Sequence, residues 1–147
     1  MSDKHPIRLD TVMFTKCMVT AVPGYAPPEG DMSLIPGPEN NIQVRTDTER
    51  GRGWYEATMR TVINPSMEKT APYSVEMMCT AILHADDTLT EEDANRGIFI
   101  TAHSVLYGSI RETVAWLTGR QPYGPLVLGL SVLRPSAKAE EAAAEKQ

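Results

Sequence analysis

Only two cysteines occur in 147 residues, so no disulfide framework holds this chain together. Cys17 and Cys79 each sit inside an alternating apolar run, and both are expected to be small buried hydrophobes kept reduced in a cytoplasmic compartment. Histidine is equally sparse: His5, His84 and His103 stand apart, and neither C-x-x-C nor H-x-x-x-H spacing occurs, so no metal site is expected. Ser104 and Ser109 lack the G-x-S-x-G setting of a nucleophile, and no glycine-rich loop leads into a helix to cradle phosphate. Positive charge is in deficit. The 14 Lys and Arg against 19 Asp and Glu give a net charge of -5, which disfavours nucleic acid as a partner. No run approaches the ~18 apolar residues that span a bilayer, and Met1 to Asp10 contain no apolar export-signal core. These absences point away from an enzyme, a cofactor and membrane insertion.

What remains is 41% hydrophobic and 22% charged, a mixture that suits one soluble globular domain. Thr11 to Val22 alternates loosely and is rich in Val, Thr and Phe, which predicts a strand. Five prolines, Pro23, Pro27, Pro28, Pro36 and Pro38, then remove backbone donors and predict a stiffened surface loop. A short strand is expected at Asn41 to Thr46, and TDTERGRG supplies a turn closed by Gly51 and Gly53. Trp54 to Ile63 alternates strictly, with Tyr55, Ala57, Met59, Thr61 and Ile63 as the expected core face. Asn64-Pro65-Ser66-Met67 breaks the pattern, and a strand resumes over Pro72 to His84, with Tyr73, Val75, Met77, Cys79, Ala81 and Leu83 on one face. Val105, Leu106, Ile110, Val114 and Leu117 recur at helical spacing, predicting a helix over about Thr101 to Thr118. Its expected N-cap is Thr101, and a left-handed cap is expected at Gly119. An apolar extended segment broken by Pro122, Gly124, Pro125 and Gly129 follows, and the last residues lack an apolar stripe.

The order of strands, then one long helix, gives an α+β class: a four-stranded antiparallel sheet with the helix packed on one face. Residues 1–135 are expected to form the single domain and 136–147 a flexible C-terminal tail. The carboxylates Asp86, Asp87, Glu91, Glu92 and Asp93 lack the order of a calcium loop and are expected to be a solvated acidic connection. Arg111 and Glu112, adjacent on the helix, point to different faces and suit structural ion pairs with other elements. Methionine is the positive signal. Met13, Met18, Met59, Met77 and Met78 lie in strands, where unbranched thioethers fit either a promiscuous apolar surface or ordinary core. The first strand also carries apolar residues on both faces, Val12 and Phe14 against Met13 and Val19 by strict alternation.

The stretch Ile100 to Pro135, ITAHSVLYGSIRETVAWLTGRQPYGPLVLGLSVLRP, resembles the helix and crossover of the SecB family and of the SecB-like chaperones of toxin-antitoxin-chaperone systems. The family's L-[YF]-[PG]-x-x-R-E core is matched by Leu106, Tyr107, Gly108, Ser109, Ile110, Arg111 and Glu112. Its turn and extension are matched by Thr118, Gly119 and Arg120 and then by Pro125, Leu126 and Leu128. VMFTKCMVTAVPGYAP and WYEATMRTVIN are similar to its first and middle strands, and the likeness as a whole covers about residues 7–135. SecB has proline where Gly108 stands. It also ends in a second helix and an acidic tail that docks on the SecA motor, whereas Ser136 to Gln147 is short and Ala-rich, with three glutamates against Lys138 and Lys146.

The resemblance implies an ATP-independent holdase that binds unfolded or nascent polypeptides, in protein export or as guardian of one client such as an antitoxin. It implies a homo-oligomer, a dimer of dimers, and a client groove built from Phe14, Met18, Tyr25, Tyr123, Leu126 and Leu128. SecA is a further partner that the family implies, poorly matched by this tail. The alternative is a structural or assembly subunit of the same fold, in a phage or a secretion apparatus, whose groove holds one fixed protein partner.

Overall fold

A computed structural model describes residues 4–27, 29–30 and 37–130. Four strands, β1 (Ile7–Ala21), β2 (Glu39–Thr46), β3 (Trp54–Ile63) and β4 (Tyr73–Ala85), precede one helix, α1 (Glu91–Thr118). The sheet is antiparallel throughout in the order β1-β4-β3-β2, which is the four-stranded α+β plan expected from the sequence. The proline-rich segment therefore joins opposite edges of the sheet, three strand spacings or roughly 14 Å apart. The expected boundary at residue 135 and the tail 136–147 lie outside the described residues, as do Pro28 and Pro36. Among the described residues no helix is long and apolar enough to cross a membrane.

The central strands carry the alternation most cleanly, because both of their edges are paired and one face is sealed by α1. Tyr55, Ala57, Met59, Thr61 and Ile63 are buried, as are Tyr73, Val75, Met77, Cys79, Ala81 and Leu83. From α1 the core receives Ala94, Ile98, Ala102, Leu106, Ile110 and Val114, one residue in every four, with Val105 and Leu117 only half-buried beside them. Each fully buried Ile or Leu contributes about 1.5–3 kcal/mol. Leu106→Ala would therefore cost about 2–5 kcal/mol, cavity included.

The helix begins ten residues before the expected start. Thr90, not Thr101, is its N-cap, and its side-chain oxygen accepts from the Asp93 N–H at 3.1 Å. Glu91, Glu92 and Asp93, expected in a solvated connection, form the first helical turn, where carboxylates complement the helix dipole. At the other end Gly119 is right-handed helical, with its N–H bonded to the Ala115 carbonyl at 3.0 Å. The left-handed position is Gly124, φ 79, after a tight turn from Thr118 to Gln121.

β1 departs from strict alternation at two bulges, which insert Asp10 and Thr15. Each extra residue resets parity. Val12, Phe14, Cys17, Val19 and Ala21 are thereby opposite the helix-facing residues of β4, and Met13, Lys16 and Met18 fall on the outer face. Val19 thus shares a face with Phe14, contrary to simple alternation. Cys79 is buried, and burial raises its thiol pKa to about 11, whereas Cys17 is exposed on the edge strand rather than buried as expected. The methionines divide as well: Met59 and Met77 are core, while Met13 and Met18 are exposed.

Candidate functional site

Three connections meet at the end of the sheet where β1 leaves and β4 begins. The exit of β1 is tied to the β3–β4 connection by Val22 N–H to Pro72 O at 2.8 Å and Ala26 N–H to Lys69 O at 2.9 Å. That connection is closed by the buried Asn64, whose side chain accepts from the Glu68 N–H at 2.8 Å and donates to the Glu68 carbonyl at 3.0 Å. Onto both comes the segment following α1. Tyr123 donates through its hydroxyl to the Val22 carbonyl at 2.7 Å, and its ring meets Tyr25 edge-on at 5.0 Å and Tyr73 at 5.8 Å.

Beyond Tyr123 the chain turns back along α1 without helix or ladder bonds. The helix holds it by side chains. Thr118 Oγ1 accepts from the Leu126 N–H at 2.7 Å, Arg111 Nε donates to the Leu128 carbonyl at 2.6 Å, and the Tyr107 hydroxyl donates to the Gly129 carbonyl. Arg111 was expected in an ion pair with another element. Among the described residues its bond is instead to a backbone oxygen, because Leu128 carries an acceptor into its reach. Burial of Tyr107 raises its phenol pKa, which keeps it a donor at any ordinary pH.

The six residues expected in a client groove are placed as follows. Tyr25 and Tyr123 are in ring contact. Leu126 follows on the same segment, half-buried against the core, and Leu128 is buried within it. Phe14 is half-buried on the helix face of β1, packed on the core. Met18 lies on the outer sheet face, beside Glu76, so the structure does not bring it together with Phe14. Strict alternation would have put residues 14 and 18 on one face, and the bulge at Thr15 separates them. What the sequence reading left out is the outward side of the crossover: Val127 is 63% exposed and Leu130 84% exposed. The usable signal for Val127 was alternation, which turns it outward once Leu126 and Leu128 are turned in; alternation does not account for Leu130, which shares their parity.

The site is uncharged from Gln121 to Leu130, and its exposed atoms are aromatic and aliphatic. Among the described residues no three His, Cys, Asp or Glu side chains converge to hold a metal ion. Such a surface can exclude water from apolar groups and offer backbone hydrogen bonds.

No protein-family model matches the sequence, and no curated protein matches it. Its structure is similar to that of the SecB-like chaperone Rv1957 of Mycobacterium tuberculosis, solved in complex with a ChAD peptide from the Rv1956 HigA1 antitoxin. That match has a TM-score of 0.60 at 18% identity, over 86% of this chain and 88% of that one. A protein of unknown function from Streptococcus agalactiae is similar at a TM-score of 0.49 and 8% identity, over 84% of this chain and 97% of that one. With its four-stranded antiparallel sheet and single long helix, the fold of this chain is the SecB-like fold.

Proposed function

We propose that the chain is a chaperone that binds segments of unfolded polypeptide without ATP, acting on a dedicated client such as an antitoxin or more generally on nascent chains. The observation that carries this reading is the crossover. An uncharged run is held against α1 by side chains, with Tyr123 exposed in ring contact with Tyr25 and Val127 and Leu130 exposed further along it. A chain able to bury Met59, Met77 and Ile98 completely does not need to leave such side chains in water for its own stability. Covering them with a client at ~25 cal/mol per Å² gives affinity without demanding a particular sequence. The similarity of fold to a chaperone solved with an antitoxin peptide supports a polypeptide as the ligand.

The same reading takes the protein to work as a homo-oligomer in the cytoplasm, with no cofactor and no bond chemistry. The groove is revised to Tyr25, Tyr123, Leu126, Val127 and Leu130. Phe14 and Leu128 are assigned to packing, and Met18 to the opposite sheet face. The test is light scattering of an unrelated aggregating protein with and without the native chain. A holdase suppresses the aggregation, and Val127→Asp with Leu130→Asp abolishes that suppression while leaving the unfolding midpoint unchanged. Protection restricted to one partner protein would rule out the general holdase and leave a dedicated client or the assembly subunit, which release of that partner in a folded state would then separate.

A further inference from the structure

We draw no further inference here: the strongest candidate, the recess among Arg52, Tyr55, His84, Asp87, Leu89 and Glu91 where the end of β4 meets the N-terminus of α1, is an acidic cluster at a helix end, and nothing in the structure shows what fills it.

Discussion

The Tyr73 hydroxyl, at the first residue of β4, donates to the Gly124 carbonyl at 2.7 Å and accepts from the Tyr123 N–H at 3.1 Å. Through this one group the sheet sets the start of the crossover. Tyr73 is fully buried, so removing its hydroxyl leaves an acceptor and a donor of the crossover without that partner. Tyr73→Phe is expected to lower stability by about 1–3 kcal/mol in urea denaturation. It should reduce client capture by more than Phe14→Leu does, because Phe14 packs on the core away from the crossover.

How far the sequence carried follows from which contacts leave a periodic trace. Burial of one face does, which is why Tyr55 to Ile63 and Tyr73 to Leu83 were assigned to their faces correctly. A bulge does not. Asp10 and Thr15 add a residue without changing composition, so Val19 and Met18 were assigned to the wrong neighbours by parity. The helix start was hidden for another reason. Its first turns bury only Ala94 and Ile98, too few apolar residues for a stripe, and the signal that was present, Thr90 followed by Glu91, Glu92 and Asp93, is a cap and not a period. Arg111 and Tyr107 bond to carbonyls 17 and 22 residues downstream, and any residue at those positions would supply the same oxygen. What the sequence did carry of this region is that Tyr25 and Tyr123 come together and that Leu126 follows on the same segment; the bonds that hold the segment to α1 left no trace in it.

Gly108 sits in the middle of α1 with no atom within 4 Å of where a Cβ would stand. An exposed helical glycine costs about 1 kcal/mol relative to alanine. Gly108→Ala is expected to raise the unfolding free energy by that amount. Gly97→Ala should gain nothing, because its Cβ would fall 2.3 Å from Ile7 Cδ1 and displace a buried side chain. Equal urea midpoints for the two variants would contradict the packing of α1 on the start of β1.

On the outer sheet face Glu76 accepts from Lys16 at 2.8 Å and faces Arg60 at 3.4 Å. The hydrogen bond from Lys16 is the largest cause holding its carboxyl below the ordinary range, with the charges of Lys16 and Arg60 adding to it. A depressed carboxylate pKa stabilises the fold above the unfolded value of about 4.3. That contribution is lost as pH falls through the lower folded value. The exposed setting keeps the effect modest. In an NMR titration the Glu76 midpoint should lie below that of an ordinary glutamate and rise toward it in Lys16→Met.

His103 lies buried on α1, stacked at 6.2 Å on Tyr107, and burial lowers its pKa. The unfolded chain takes up this proton near pH 6.5, while the folded chain resists it until a lower pH. Stability is therefore expected to fall between pH 6.5 and that lower value, with His103→Phe flattening the slope. The loss should be visible at the crossover as well as in the global melt, since the neighbouring Tyr107 holds Gly129. A His103→Phe melt as steep with pH as the native one would place the titrating group elsewhere.

Exposed apolar side chains away from the crossover call for a different partner. Ile100 and Trp116 lie on α1, 52% and 66% exposed, and Leu9 and Met13 lie on β1, whose outer edge pairs with nothing among the described residues. A long free edge and an apolar helix surface on one small fold are the two contacts that a dimer of dimers requires, one for strand pairing and one for helix packing. The expected mass in solution is four times 16.2 kDa, measured by light scattering on a sizing column. Ile100→Asp places a charge on the helix surface and leaves the edge alone, so the mass should halve without loss of the far-ultraviolet dichroism. A native species of 16.2 kDa would remove the oligomer from the functional reading and leave the free edge of β1 without an explanation.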